Sequence, residues 1–384
     1  GKLPSHWEVS KIGHCFNHRN ETVSDKDFEP LSVTKNGVLP QLETAAKSDN
    51  SDGRKLIRKG DFVINQRSDR KGSAGVSPLD GSCSVIYTVL EPVRYHPTYA
   101  HHLFRSIVFQ EEFYRWGTGI VDDLWSTRYS LMKQISCPVP PVEEQKAIAD
   151  FLDSEIEKID YLLQKQDDLV RNLASRRKAL IQSVIAGKIS VPGSEPRDNW
   201  VVNRFGRIVK NVELKNSSNV MISLEHIESQ TGRILPLPEL ESAVEGTQFR
   251  VGDVIFGKLR PYLAKVAVVE HEGVAGGDIH VYRSKVLLPA FLKYWLLSSD
   301  TLELINSATY GIKMPRANWE QIKMLEVQFP SLDTQARLAI FLDRNLANIQ
   351  RLSQAAMELS GHLRERRETL IVAAVTGKID VKGK

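Results

Sequence analysis

The sequence predicts an α/β protein that is a tandem duplication, with each half forming a mixed α/β globular unit followed by one long helix. Three observations support this prediction. Long amphipathic segments occupy residues 141–187 and 331–377, sequence landmarks recur at an offset of about 190 residues, and short strand-like runs precede each long segment. Each half therefore has about 140 residues of globular chain before its helix.

The first long segment carries the start and stop signals of a helix. Pro141 suits a first helical turn, and Glu143 and Glu144 lie near the positive end of the helix dipole. Gly187 stands where a helix ends. Apolar residues recur at alternating spacings of four and three, which indicates a heptad seam with two polar interruptions. The seam comprises Leu152, Ile156, Ile159, Leu163, Gln166, Val170, Leu173, Arg177, Leu180 and Val184.

Such a helix is roughly 65 Å long and needs a partner helix to bury its seam. The second long segment supplies a partner within the same chain. Two unrelated amphipathic helices are the alternative, but the number of identities at one fixed offset argues against it. The identities pair Gln145 with Gln335, Ala149 with Ala339, Asp153 with Asp343, Ile159 with Ile349, Arg177 with Arg367, Leu180 with Leu370 and Gly187 with Gly377. The second seam comprises Leu342, Leu346, Ile349, Ser353, Ala356, Ser360, Leu363, Arg367, Leu370 and Ala374.

The globular part of each half alternates strand-like runs with one aromatic-rich helical pattern. The predicted strands are Leu31–Thr34, Asp61–Asn65 and Ser84–Leu90 in the first half, and Val220–Leu224, Asp253–Phe256, Ala264–Val269 and Ile279–Tyr282 in the second. The predicted helices are Thr98–Trp116 and Ala290–Ser307, whose aromatic side chains we expect in the core. A linker rich in Pro, Gly and Ser covers Ile189–Asp198.

The composition is typical of a soluble globular protein, with 41% hydrophobic and 26% charged residues. No apolar run approaches the length of a membrane span, and the N-terminus, which lacks Met, has no signal-peptide pattern. Three widely spaced cysteines indicate reduced thiols in a cytoplasmic protein. The net charge of +4 permits nucleic-acid binding without requiring it.

The sequence shows no catalytic signature. A phosphate-binding P-loop, a dinucleotide-binding glycine motif, a serine-nucleophile elbow and the motif of adenine methyltransferases are all missing. His14 and His18 could supply metal ligands, but no second Cys or His pair accompanies them. We therefore expect no catalytic residue, no metal site and no cofactor on this chain.

Basic and polar residues follow equivalent predicted strands in the two halves, and a second set precedes each long helix. Arginine, glutamine and asparagine side chains read base edges, whereas lysine and serine suit phosphate oxygens. Ordinary solvated loop charge is the alternative, and the symmetric placement favours the functional interpretation. The candidate DNA-binding residues are Gln66, Arg67, Ser68, Arg70, Lys71, Trp125 and Arg128 in the first half, and Lys258, Arg260, Tyr262, Lys265, Tyr310, Lys313 and Arg316 in the second.

Several motifs together resemble the specificity subunit of type I restriction-modification systems, and the resemblance covers essentially the whole chain. They are Leu3-Pro4-x-x-Trp7, Gly60-Asp61, Pro140-Pro141-x-x-Glu144-Gln145-x-x-Ile148-Ala149-x-Phe151-Leu152-Asp153, and Gly187-Lys188-Ile189, with their echoes in the second half. The second half departs from the pattern before Gln335, because Pro330 is followed by Ser331 and the position before Gln335 is Thr334.

The resemblance implies a protein that performs no chemistry itself. Residues 1–140 and 189–330, the latter with linker 189–198, would be target recognition domains that each read one half of a split, asymmetric DNA sequence. Residues 141–188 and 331–384 would be the long helices with a C-terminal tail. These helices would pack as an antiparallel coiled coil with pseudo-two-fold symmetry, which acts as a ruler between the domains.

The same resemblance implies the partners. Two methyltransferase subunits would carry S-adenosylmethionine and methylate adenine N6, and restriction subunits would use ATP and magnesium. Double-stranded DNA is the expected ligand of this chain. Two alternatives remain: a duplicated coiled-coil adaptor without DNA readout, and a self-sufficient DNA enzyme, which would need a nucleotide or metal site that the sequence does not show.

Overall fold

The computed structural model describes residues 3–41, 52–67, 70–119, 125–309 and 315–381. The chain divides into two compact units. Unit 1 contains Gly1–Gln166 and Glu358–Lys384, and unit 2 contains Asp167–Met357. The division falls inside both long helices, so each unit contains one segment of each helix.

Unit 1 consists of short strands, four short helices and the first long helix, which ends in unit 2. The strands are β1 Glu8–Lys11, β2 Phe16–Arg19, β3 Thr22–Val23, β4 Leu31–Thr34, β5 Gly37–Pro40, β6 Arg54–Ile57, β7 Phe62–Asn65, β8 Ala74–Val76, β9 Gly81–Cys83, β10 Tyr87–Pro92 and β11 Ser136–Val139. The helices are α1 Ile12–Cys15, α2 Pro97–Arg105, α3 Ile107–Arg115, α4 Tyr129–Met132 and α5 Val142–Ile185.

Unit 2 repeats this order, and the second long helix begins in it and ends in unit 1. The strands are β12 Val201–Arg204, β13 Val209–Val212, β14 Lys215–Ser218, β15 Met221–Ile222, β16 Val244–Phe249, β17 Val254–Gly257, β18 Val266–Val268, β19 Gly273–Ala275, β20 Ile279–Ser284 and β21 Glu326–Phe329. The helices are α6 Phe205–Ile208, α7 Pro289–Leu297, α8 Ser299–Ser307, α9 Trp319–Ile322 and α10 Leu332–Val375.

The main sheet has the same strand order in both units. It is β2-β10-β7-β8 in unit 1 and β13-β20-β17-β18 in unit 2, with antiparallel pairing throughout. A two-stranded sheet also recurs, as β1-β11 and β12-β21. The remaining strands differ: unit 1 has β3-β6-β9 and the hairpin β4-β5, whereas unit 2 has β14-β16-β19-β15. The two copies therefore share the main sheet and the two-stranded sheet and have diverged in the remaining strands.

The pattern of burial confirms the predicted heptad seams. Every seam position on α5 and α10 is buried or half-buried, including the polar residues Gln166 and Arg177. In unit 1 the helix segments run antiparallel, because Ile156 and Ile371 line one cavity while Asp160, one turn further along α5, meets Arg367, one turn earlier on α10. In unit 2 the seam residues Val184, Leu342 and Leu346 enter one core cluster, together with Ile181 and Leu338 of the same two helices.

The prediction of one aromatic-rich helix in each half was wrong, because a serine divides each into two. Ser106 separates α2 from α3 and Ser298 separates α7 from α8, and both have extended backbone with ψ of 147° and 145°. Each hydroxyl donates to a carbonyl three residues earlier, Leu103 O and Trp295 O respectively. Serine competes with the helix for these hydrogen bonds and serves as the N-cap of the next helix. Most of the aromatic residues lie in the core as expected, with Phe104, Phe113 and Phe291 fully buried, but Trp116 is exposed.

The Gly-Asp motif of each half forms the turn before the strand that precedes the basic loop. Gly60 and Gly252 have φ of 95° and 84°, a region that favours glycine. Asp61 accepts from the backbone N–H of Arg58, and Asp253 accepts from that of Arg250, each at 2.8 Å. Both carboxylates are 2% exposed.

Each buried carboxylate of the motif is neutralised by a bidentate arginine, but the arginine comes from a different strand in each unit. In unit 1 Arg19 of β2 donates to Asp61 at 2.7 and 3.1 Å. In unit 2 Arg283 of β20 donates to Asp253 at 2.7 and 2.6 Å. A buried carboxylate needs such a partner to offset its desolvation.

No helix in the described part of the chain has both the length and the apolar character required to span a bilayer.

Candidate nucleic-acid interface

The two predicted basic loops are hairpin loops at the same place in the two main sheets. The first hairpin loop, residues 66–73, joins β7 to β8, and the second hairpin loop, residues 258–265, joins β17 to β18. Strand β8 or β18 forms one edge of its sheet. The loops therefore occupy equivalent positions, as the sequence predicted.

In unit 1 the structure brings the two predicted sets of residues together. The backbone N–H of Thr127 donates to the carbonyl of Gln66 at 2.9 Å, and Arg67 forms a β-bridge with Ser126. Thr127 is fully buried, and its hydroxyl donates to the carbonyl of Phe113 at 2.8 Å. The first hairpin loop and the segment 125–128 thus form one surface although about 60 residues separate them in the sequence.

The predicted residues of unit 1 divide into two groups. Gln66 and Trp125 are half-buried and make structural hydrogen bonds. Gln66 Nε2 donates to Thr88 Oγ1 at 2.9 Å, and Trp125 Nε1 donates to the Tyr114 carbonyl at 2.9 Å. The other group is exposed and positively charged: Arg67, Arg70, Lys71 and Arg128. The Lys71 ammonium also lies 5.3 Å from the centre of the Tyr114 ring, within cation–π range.

Unit 2 has the same arrangement with different side chains. The N–H of Ala317 donates to the Lys258 carbonyl, and the N–H of Arg260 donates to the Pro315 carbonyl, both at 2.8 Å. Leu259 forms a β-bridge with Arg316. The second hairpin loop and the segment 315–317 are therefore joined in the way that residues 66–67 and 126–127 are joined in unit 1.

Two predicted lysines of unit 2 bind backbone carbonyls of their own unit. Lys258 Nζ donates to Gly277 O at 3.1 Å, and burial lowers the pKa of its ammonium group. Lys265 Nζ donates to Leu224 O at 2.5 Å. These contacts fix the second hairpin loop, and a role of either lysine in DNA binding stays a prediction.

Arg260 and Tyr262 are the exposed residues of the second hairpin loop. Tyr262 is 50% exposed. Arg260 has φ of 51° and Ala264 has φ of 49°, so two non-glycine residues adopt the left-handed conformation around Pro261. This conformation costs on the order of 1 kcal/mol per residue, and such strain is concentrated at functional loops.

Arg316 is exposed and paired. Its guanidinium lies 2.9 Å from the carboxylate of Asp278, whose carbonyl accepts the Lys258 N–H at 2.8 Å. Asp278 therefore organises both predicted cations. Asp278 was not among the residues predicted from the sequence, and the turn residues Gly276 and Gly277 before it were the signal that could have identified it.

Three predicted residues, Ser68, Tyr310 and Lys313, lie outside the described residues. Tyr114, which contacts both Lys71 and Trp125, was not among the residues predicted from the sequence. Thr127 falls within the predicted segment, but its burial results from tertiary contacts that no local pattern reveals.

Within the described ranges, no group of three or more His, Cys, Asp or Glu side chains is placed to hold a metal ion. His18, one of the ligand candidates, instead stacks on Tyr129, with ring centres 4.0 Å apart. Burial is the main cause that lowers the pKa of the His18 imidazole, followed by the charge of Lys55.

The surface that each unit forms from its hairpin loop and the joined segment offers cations and hydrogen-bond donors, which are the groups that contact DNA.

The motif of the resemblance that contains Gln145 anchors each long helix to its globular part. Gln145 is fully buried; its amide oxygen accepts the His96 N–H at 2.7 Å, and its amide nitrogen donates to the carbonyls of Arg94 and Pro140. Gln335 repeats these three bonds with Leu288 N, Val286 O and Pro330 O. The shared glutamine thus satisfies three backbone groups at the start of each helix.

Known proteins similar to this chain share one description. The specificity subunit of the type I restriction enzyme EcoDI from Escherichia coli is 20% identical over 414 residues, which cover 99% of this chain and 90% of that protein. The EcoKI specificity subunit from Escherichia coli K12 is 19% identical, with the same coverage. No protein-family model matches the chain.

Two solved structures share the fold over its full length. A chain from a study of complex assembly and conformational transition of the type I restriction-modification system has a TM-score of 0.76 at 18% identity and covers 99% of this chain and 100% of its own. The HsdS subunit from Thermoanaerobacter tengcongensis has a TM-score of 0.58 at 19% identity, with 99% of both chains covered. The likeness supports the duplicated α/β fold with two long helices.

Proposed function

We propose that this chain, whose predicted resemblance to type I restriction-modification specificity subunits is confirmed over 99% of its length, is the DNA sequence-specificity subunit of such a complex. It is not the catalytic component. Each unit contributes one recognition surface that reads one half of a split DNA target. Because the two surfaces carry different side chains, the two half-sites differ in sequence.

One observation carries the proposal: the same joined surface recurs in both units with different exposed residues. Unit 1 presents Arg67, Arg70, Lys71 and Arg128 there, whereas unit 2 presents Arg260, Tyr262 and Arg316. A rigid framework with variable loop residues is what sequence readout requires, since base contacts specify and phosphate contacts position. The joined backbone supplies the rigidity in each unit.

The partners follow from the same proposal. Two methyltransferase subunits bind the chain, carry S-adenosylmethionine and methylate adenine N6, and restriction subunits supply ATP- and magnesium-dependent translocation and cleavage. The complex acts in the cytoplasm. Exposed apolar side chains on the long helices support protein docking, since solvent-facing Tyr161 and Leu162 of α5 and Leu352 and Met357 of α10 serve no buried seam.

The decisive experiment maps adenine methylation in cells that express the methyltransferase partner with and without this chain. A split motif that appears only with the chain establishes the specificity role and identifies both half-sites. If both proteins are present and no chain-dependent motif appears, the proposal fails. The exposed apolar residues of the long helices would then favour the second candidate function, a duplicated coiled-coil adaptor.

A further inference from the structure

A cavity of about 650 Å³ lies in unit 1 beside the first hairpin loop. Its walls come from α2, α3, α5, α10, Lys35 and two residues of the loop, Lys71 and Gly72. Three isoleucines give it an apolar side: Ile107, Ile156 and Ile371. Cavities of this size hold small organic ligands that bind through a few polar groups.

The charged side chains that line this cavity are mostly basic. Lys35, Lys71, Arg105 and Arg367 are cationic, and Asp153 and Glu368 are the carboxylates. One carboxylate oxygen of Asp153, Oδ1, lies 2.7 Å from Nε2 of His102. Burial lowers the pKa of His101 to about 3 and also lowers that of His102, so both rings are neutral near pH 7. The cavity therefore has an excess of positive charge without any contribution from histidine.

Arg105 has no carboxylate partner among the described residues. Its guanidinium contacts the neutral ring of His101 and the backbone carbonyl of Lys35. Burial lowers its pKa, and the charge of Arg367 lowers it further. A half-buried guanidinium next to a second cation is costly unless an anion compensates it.

Arg367 is also incompletely satisfied. Its Nε lies 3.3 Å from Asp160, but no Nη atom of Arg367 makes a hydrogen bond to a described residue. Guanidinium groups bind phosphate through two parallel N–H donors. Arg105 and Arg367 together thus provide unused capacity to bind an anion at one place.

Unit 2 provides an internal comparison. Arg177, at the position equivalent to Arg367, donates to the carbonyls of Gln230 and Thr231 at 3.1 and 2.8 Å. Leu297 occupies the position equivalent to Arg105. The duplicated helix arginine is therefore used structurally in unit 2, and the pair of arginines is specific to unit 1.

We propose that the unit 1 cavity, which is lined by Arg105, without a carboxylate partner among the described residues, and by Arg367, binds a phosphate-bearing ligand of about mononucleotide size. The arginines bind the phosphoryl oxygens, Lys35 and Lys71 add charge, and the isoleucine side receives the organic part. Because Lys71 belongs to the first hairpin loop, the bound ligand contacts that loop. This inference does not rest on the proposed function.

Titration calorimetry of the full chain with pyrophosphate and with AMP, at constant ionic strength and with EDTA, tests the site. We expect saturable binding of both. Arg367→Gln and Arg105→Gln should each weaken binding about ten-fold or more, since each removes charge-assisted hydrogen bonds. Arg366→Gln is the matched control, because it removes the same charge from an exposed neighbouring position outside this cavity and should change the Kd less than two-fold.

Two results would overturn the proposal: wild-type protein that shows no saturable binding, or equal losses in Arg366→Gln and Arg367→Gln. If Arg105→Gln does not fold, Arg367→Gln decides alone. A short DNA duplex added to the calorimeter cell identifies the source of the phosphate. Simultaneous binding of AMP and duplex supports a free ligand, whereas competition lost in Arg367→Gln assigns the same site to a backbone phosphate of DNA.

Discussion

The indole N–H of Trp7 donates to the carboxylate of Glu144 at 3.0 Å and so ties the N-terminal segment to the first turn of α5. Unit 2 has lost this bond. Thr334 stands where Glu144 would be and accepts the Glu195 N–H at 3.2 Å, and the buried Trp200 Nε1 has no partner among the described residues. The departure from the shared motif before Gln335 is therefore the replacement of the glutamate by Thr334, which binds a backbone N–H instead of an indole.

We expect Trp7→Phe to destabilise the protein more than Trp200→Phe. Both indoles are buried, but Trp7→Phe removes a hydrogen bond to the Glu144 carboxylate, whereas Trp200→Phe removes an N–H that already lacks a partner among the described residues. The difference should be about 1–2 kcal/mol in the free energy of unfolding, measured by denaturant titration. Equal losses in the two variants would contradict the assignment.

Gln145→Leu should cost about 2–4 kcal/mol, because it leaves three buried or half-buried backbone groups unpaired. Gln164→Leu is the control, since Gln164 is an exposed residue of the same helix and should change the unfolding free energy by less than about 0.5 kcal/mol. Similar losses in both variants would mean that the three bonds contribute little.

Acid should destabilise unit 1 through His101, whose pKa is lowered to about 3 by burial and whose Nδ1 accepts the Val76 N–H at 3.3 Å. As pH falls below about 6.5, the unfolded chain takes up a proton that the folded chain does not. The unfolding free energy therefore falls by up to about 1.4 kcal/mol per pH unit between pH 6.5 and the folded pKa, and this contribution is constant above pH 6.5.

His101→Gln should lower the slope of unfolding free energy against pH, because the unfolded state then takes up one proton fewer relative to the folded state. Denaturant titrations between pH 5 and 8 measure this slope. His14→Gln is the control, because His14 is an exposed histidine of the same unit with no ion pair to a described residue. If the slope of unfolding free energy against pH were unchanged in His101→Gln, His101 would not be the titrating group.

Arg67→Ala and Arg260→Ala should each relax readout of one half-site. Loss of a base contact costs about 1–3 kcal/mol of discrimination at one position. The measurement is binding of the assembled complex to duplexes in which one half-site at a time is altered. A variant that binds all sequences more weakly, with a smaller salt dependence, would identify its arginine as a phosphate contact.

The long helices should set the spacer between the half-sites. Seven residues inserted after Gln166 in α5 and seven after Met357 in α10 preserve the heptad and lengthen the helices by about 10 Å. At roughly 3.4 Å per base pair the preferred spacer should grow by about three base pairs. Methylome sequencing reads the spacer directly, and an unchanged spacer would exclude this role.

The sequence was sufficient for features that local chemistry determines. Proline and glycine placed the ends of α5 within two residues, and the heptad spacing identified the buried seams of both helices. The breaks at Ser106 and Ser298 were missed because the apolar pattern continues across them. The bond from Thr127 to Gln66 joins residues 61 positions apart, and only tertiary structure reveals that Lys258 and Lys265 bind carbonyls.

The arginine that pairs with the buried Asp61 comes from β2, whereas the arginine that pairs with Asp253 comes from β20. This difference limits how the two halves can recombine. The position of Arg19 is valine in unit 2, at Val212, and the position of Arg283 is glutamate in unit 1, at Glu91. A hybrid main sheet that combines β2 with β20 has two arginines for one carboxylate. A hybrid that combines β13 with β10 has none. New specificities made by exchange between such copies must therefore inherit the entire main sheet as one block.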